Sequence, residues 1–132
     1  MVSAYDLSKL PSAPVLEIQL SAPEADSFSD TLSALVDTGA DFSVIPLQWL
    51  LSIDAPETRS AFARGLWGKR QAVTLYLVDI RLEIGVFCGI EVIGTDDEEE
   101  VILGRNVLNK LFLLLEGPHQ QSRILERTPK KF

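Results

Sequence analysis

Apolar and polar residues alternate along much of the chain with a period of two, in short segments. In residues 15–20, Leu16, Ile18 and Leu20 share one side and Glu17 and Gln19 the other, which predicts a half-buried strand. A polar turn at 22–27 separates it from a second strand over 31–36, and a third follows over 42–45. Residues 46–51 open on Pro46 and predict a short helix with proline in its first turn. After a loop at 54–57, residues 59–63 and 71–82 read as two strands of a hairpin with a glycine-flanked tip, Arg64 to Lys69. Gly85 marks a turn before a strand over 86–93, and 95–100 is an acidic loop. One or two helical turns follow over 106–111, and strands at 112–115 and 122–125 pair around Glu116-Gly117-Pro118. The pattern has no internal repeat, low-complexity tract or linker. It predicts a single all-β domain over 1–132, with one or two short helices and loose termini at 1–13 and 126–132.

Composition narrows the class of function. Hydrophobic residues make up 46% of the 132, enough for a folded core rather than a disordered chain. The formal net charge of −7 argues against nucleic acid or an anionic membrane as the main partner. The first ten residues lack the apolar run of a signal peptide, and no stretch is long enough to span a bilayer, so a cytoplasmic location is expected. The sole cysteine, Cys88, cannot form an intramolecular disulfide and leaves no Cys/His metal cluster with the sole histidine, His119. Cys88 is expected in the core as a small apolar residue. No metal or cofactor is expected, and His119, in a Gly-Pro turn, has no expected catalytic role. The run Asp96-Asp97-Glu98-Glu99-Glu100 is expected to be a solvated turn.

The chemistry concentrates in Ala34-Leu35-Val36-Asp37-Thr38-Gly39-Ala40-Asp41-Phe42-Ser43-Val44-Ile45-Pro46. An apolar strand ends at an acid, a hydroxyl residue and a glycine, and a second apolar run follows at once. Carboxylates avoid such places unless something offsets their lost hydration. A second fragment, Val101-Ile102-Leu103-Gly104-Arg105-Asn106-Val107-Leu108, gives an apolar strand with a glycine permitting close approach. Together the two resemble the retropepsin-like aspartic proteases, over most of the chain from about Val15 to about Ile124. The resemblance implies a closed, barrel-like acid-protease fold with a flap hairpin, and peptide-bond hydrolysis by water activated on Asp37. It also implies supporting roles for Thr38, Gly39, Ala40 and Ser43, and a structural ion pair between Asp41 and Arg105. The flap and substrate contacts fall on Gly65, Leu66, Trp67 and Gly68, where the sequence departs from the glycine-richer retroviral flap tips.

Metal-free hydrolysis of this kind needs two carboxyl groups that share a proton. The chain has one Asp-Thr-Gly turn: Asp79 precedes Ile-Arg and Asp96 precedes Asp-Glu, neither on a glycine turn. The second acid must come from another copy, so the expected assembly is a symmetric homodimer acting on a peptide or protein. Its interface is expected to differ from the viral one, because the tail after Leu125 is longer. The alternative is a catalytically silent domain of the same fold, serving dimerisation or peptide binding. A fragment of an actin-like ATPase would require a far longer chain with glycine-rich nucleotide contacts.

Overall fold

The structure is a computed structural model and describes residues 2–64, 68–96 and 100–126. Ten strands and two short α-helices occur among these residues: β1 (Val2–Ala4), β2 (Val15–Ser21), β3 (Leu32–Val36), β4 (Val44–Pro46), α1 (Leu47–Ser52), β5 (Glu57–Arg64), β6 (Arg70–Leu82), β7 (Gly85–Thr95), β8 (Val101–Leu103), α2 (Arg105–Leu108), β9 (Phe112–Glu116) and β10 (Gln121–Leu125). Six strands form a ring in the order β2-β3-β8-β4-β7-β6, closed by antiparallel pairing of Gln19, Leu20 and Ser21 with Arg81, Ile80 and Asp79. The fold is therefore all-β around a closed barrel.

The alternation in β2 explains its place in the wall. Leu16, Ile18 and Leu20 are essentially inaccessible, while Glu17 faces solvent. Ala34, Ile45, Val78, Ile80, Val92 and Leu103 complete the barrel interior. Helix α1 buries Leu50 against this core. Pro46, expected inside the helix, is instead its N-cap and the last residue of β4, where its missing N–H leaves no helical bond unmade.

Long β6 extends beyond the barrel and pairs with β5 from Arg64↔Arg70 down to Glu57↔Tyr76, making a two-stranded hairpin. Its base is fastened to β7. Thr58 Oγ1 donates to Glu91 Oε2 at 2.8 Å, and Arg59 donates to both carboxylate oxygens at 3.2 Å. The Arg59 guanidinium and the Thr58 hydroxyl hold the Glu91 carboxyl below its ordinary range.

Three expectations are corrected. The N-terminus is not loose throughout: β1 pairs with β10, which pairs with β9, in a separate three-stranded sheet. Gly85 begins β7 rather than forming the turn before it, which falls on Glu83 and Ile84. Cys88 is exposed. Its displacement follows from a bulge, since Val78 opposes Ile90 but Ile80 opposes Phe87, leaving Cys88 and Gly89 together across from Asp79. Gly89 adopts φ +68° and donates its N–H to Asp79 Oδ1 at 2.9 Å. The extra residue breaks the strict alternation that would have turned Cys88 inward.

The β9–β10 turn carries a charge cluster with a testable consequence. Glu116 accepts from Arg123 Nε at 2.7 Å and Gln121 Nε2 at 2.9 Å, with His119 Nδ1 at 3.2 Å. Led by the Arg123 bond, these partners lower the Glu116 carboxyl to about 2, from 4.5. A carboxylate depressed on folding stabilises the protein fully above its unfolded pKa, and loses that contribution as pH falls toward its folded value. Glu116→Gln should therefore lower the urea midpoint at neutral pH and flatten its decline between about pH 5 and pH 2. Parallel midpoint–pH curves for the two proteins would contradict this coupling.

Candidate active site

Asp37 lies immediately after β3, the strand held between β2 and β8. Its backbone N–H donates to Leu103 O at 3.0 Å, which continues the β3–β8 pairing one residue further. The chain then turns. Gly39 N–H donates to Asp37 Oδ1 at 2.9 Å, and Ala40 N–H to Asp37 O at 3.2 Å. Asp37 is half-buried and its carboxylate is held by the turn's own backbone, while Thr38 and Gly39 are exposed. Among the described residues Asp37 has no ion-pair partner.

Arg105, the first residue of α2, ties the turn together. Its side chain donates to Thr38 O at 2.7 Å and pairs with the Asp41 carboxylate, and its backbone N–H donates to Ala40 O at 2.8 Å. Asp41 and Arg105 thus meet. The arginine also satisfies two carbonyls of a turn that lacks sheet partners.

Beneath the turn, Ser43 is fully buried and sits in a hydrogen-bonded cluster. Ser43 Oγ accepts from Gly104 N–H at 3.0 Å and donates to Asn106 Oδ1 at 2.9 Å; the same oxygen accepts Ser43 N–H at 2.9 Å. Asn106 Nδ2 donates to Glu91 O at 2.8 Å. One amide therefore links the loop after Asp37, α2 and β7. Sequence reasoning missed Asn106 as a supporting residue. The available signal was a short amide side chain in the first turn of a helix that follows an apolar strand, next to Val107 and Leu108 that must face the core, where a polar side chain needs a partner. Ser43→Ala should cost about 1–3 kcal/mol of unfolding free energy, because it strips the acceptor from a buried N–H. Equilibrium denaturation checks this, and an unchanged midpoint would mean that the Gly104 amide finds another acceptor.

A cleft of about 460 Å³ opens beside the turn. Ala40, Asp41, Phe42 and Val44 line one side, and Ala61, Ala63 and Val73 of the β5–β6 hairpin the other. Asp37 and Thr38 do not line this cleft, whereas Gly39 does. Of the expected flap residues, Gly68 stands just before β6 in a left-handed conformation (φ +74°). Gly65, Leu66 and Trp67 lie outside the described residues, as does the middle of the acidic loop, residues 97–99.

Comparison with solved structures gives the fold class. A retropepsin-like aspartic protease from Rickettsia conorii superposes with a TM-score of 0.60 at 12% identity, covering 92% of this chain and 86% of that one. EIAV protease complexed with the inhibitor HBY-793 gives 0.58 at 22% identity, covering 82% and 93%. The retroviral protease-like domain of Ddi1 from Leishmania major gives 0.52 at 15% identity, covering 86% and 90%. No family model matches the sequence, and a sequence search of curated proteins finds no match. The chain has a retropepsin-like fold, with Asp37 on the turn that follows β3. No helix among the described residues is long and apolar enough to cross a membrane.

Proposed function

We propose that the protein is an aspartic endopeptidase whose catalytic pair comprises Asp37 from each of two copies. The observation that carries this reading is the presentation of Asp37. The residue is half-buried and its carboxylate is fixed by the Gly39 N–H on a braced turn, next to a cleft and without an ion-pair partner among the described residues. Nothing in the barrel's packing calls for an acid there; Val36, one residue earlier, already completes the strand's buried face.

In the dimer, the two carboxyl groups hold one proton between them. The ionised member takes a proton from water as it attacks the scissile carbonyl. The protonated member donates to the carbonyl oxygen, giving a gem-diol. The acid that took the water proton then passes it to the leaving nitrogen as the C–N bond breaks. The other carboxylate takes a hydroxyl proton back, which restores the singly protonated pair. The Thr38 hydroxyl, with no partner inside the chain among the described residues, is free to bond across the twofold axis. The β5–β6 hairpin covers the bound peptide and excludes water. Thr38, Gly39, Ala40 and Ser43 support the turn, and Asp41 and Arg105 hold its shape. Peptides or proteins are the substrates, and no cofactor takes part.

The test is kinetic order. At concentrations below the dimer dissociation constant, the rate of peptide cleavage should rise with the square of protein concentration, in step with the dimer fraction from sedimentation. A statine-type transition-state mimic should block it. Cleavage that stays first order in a protein shown to be monomeric would remove the paired-aspartate reading.

A further inference from the structure

We propose that Glu91 is a positioning residue that couples the β5–β6 hairpin to the loop after Asp37, through Thr58 and Arg59 on one side and Asn106 on the other. The proposal rests on the peptidase reading for what the hairpin and the loop do, and it adds how the two are kept in step.

Strand β6 separates β5 from β7, so those two lie about 9–10 Å apart, twice the spacing of neighbouring strands. The Glu91 side chain crosses that gap. Its carboxylate takes one bond from the Thr58 hydroxyl at 2.8 Å and two from the Arg59 guanidinium at 3.2 Å. The register slips between Glu57 and Arg59, so Thr58 is the extra residue of a bulge, without a partner across the ladder. Just beyond it the hairpin leaves the barrel. Strand β6 pairs with β7 from Thr74 onward, while Arg70 to Val73 pair with β5 alone. The carboxylate therefore grips the hairpin at its pivot. Exposed ion pairs add little to folding stability, so the consequence of this one lies in the angle it sets.

The main chain of the same stretch is bonded into the floor of the site. Glu91 O accepts from Asn106 Nδ2 at 2.8 Å, and Asn106 Oδ1 accepts from both the backbone N–H and the hydroxyl of Ser43 at 2.9 Å. Ile93 N–H donates to Ser43 O at 2.9 Å. Strand β7 is thus tied by its backbone to the loop after Asp37 and by one side chain to the hairpin. A hairpin that swings over a peptide must carry the Glu91 carboxylate with it or break the bonds to Thr58 and Arg59. Carrying it shifts the carbonyl that holds Asn106, and with it Ser43. By this coupling a seated peptide, in closing the hairpin, settles the turn that presents Asp37.

The test uses the full chain with Arg59→Met and Glu91→Gln, and the charge-swapped pair Arg59→Glu with Glu91→Arg. Arg59→Met should lower kcat by about fivefold and change KM by less than about twofold, because the hairpin still covers the peptide while the turn is less well aligned. Hydrogen exchange at the Ser43 and Gly104 amides, whose acceptors are Asn106 and Ser43 and not Arg59, should quicken by about threefold or more. Glu91→Gln should act in the same direction, since it keeps the backbone carbonyl that Asn106 uses and loses the charge that Arg59 uses. The swapped pair should recover at least about half of the lost kcat. Glu116→Gln, which breaks a cluster of similar size in the β1-β10-β9 sheet, should leave kcat and these two amides unchanged. Faster exchange confined to β5, a kcat that is unchanged or falls with no response at Ser43 and Gly104, or a swapped pair that recovers nothing would overturn the coupling and leave the peptidase reading standing. Faster exchange at Ser43 and Gly104 in a protein that never cleaves a peptide would support the coupling and remove the peptidase reading. Neither cleavage nor a response at those amides would overturn both.

Discussion

Asp37→Asn should abolish peptide hydrolysis, by at least about a thousandfold, while leaving the melting temperature nearly unchanged. Asparagine has the same shape, and its Oδ1 can still accept the Gly39 N–H that aspartate accepts at 2.9 Å. The turn also keeps its bonds from Asp37 N to Leu103 O and from Arg105 to Thr38 O. What disappears is the capacity to take a proton from water, since an amide is no base at any working pH. Mixing gives a sharper result. On the paired-aspartate proposal a heterodimer of wild-type and variant chains would hold one carboxylate and be inactive, so an equimolar, fully exchanged mixture should retain about a quarter of the activity of the same total protein in wild-type form. Half the activity would mean that each chain works alone. Wild-type protein that is dimeric, binds peptide and never cleaves it would point instead to the silent-module reading.

The parts of this molecule that were legible in the sequence are those set by local pattern. Leu16, Ile18 and Leu20 announce a wall strand because period two puts them on one face, and all three are buried. The apolar residues before Asp37 and the glycine after it mark a strand that ends in a turn. Helix α1 was legible because proline favours a helix start, although Pro46 stands one place earlier than the pattern put it, as the N-cap rather than in the first turn.

What the pattern could not show depends on partners far along the chain. Asn106 acquires its role from Ser43, 63 residues away, and from Glu91, neither of which its own neighbourhood reveals. The exposure of Cys88 turns on the bulge opposite Asp79, a matter of register between β6 and β7 rather than of composition. Strand β1 has only three residues, too few for alternation to register; it exists because β10 offers an edge to pair with. From the sequence Arg105 is one half of an ion pair. Its two further bonds to the carbonyls of the turn appear only once α2 is placed beneath the loop.

That placement makes Gly104 the most sensitive backbone position near the site, and Gly104→Ala should be severely destabilising. A Cβ at residue 104 would stand 2.5 Å from Phe42 O, 2.6 Å from Phe42 C and 2.8 Å from Ala40 O. All three are backbone atoms, so no side chain can rotate out of the way. The backbone conformation itself is ordinary and extended (φ −94°), so the obstacle is space alone. Relief requires α2 to separate from the loop after Asp37. That movement would stretch the bond from Arg105 N to Ala40 O, now 2.8 Å, and the bond from Gly104 N to Ser43 Oγ, now 3.0 Å. Overpacking against a rigid wall costs about 1–3 kcal/mol, and a buried amide losing its acceptor adds about 1–3 kcal/mol. For a domain of this size a loss of about 3 kcal/mol lowers Tm by about 10 °C or more. The damage should also reach the chemistry. At temperatures where the variant is still fully folded, its kcat should fall while its dimer affinity changes less, because the displaced loop is the one that positions Asp37. Calorimetry beside single-temperature kinetics checks both effects. A Tm within about 2 °C of wild type would mean that α2 is not pressed against the loop as the structure has it.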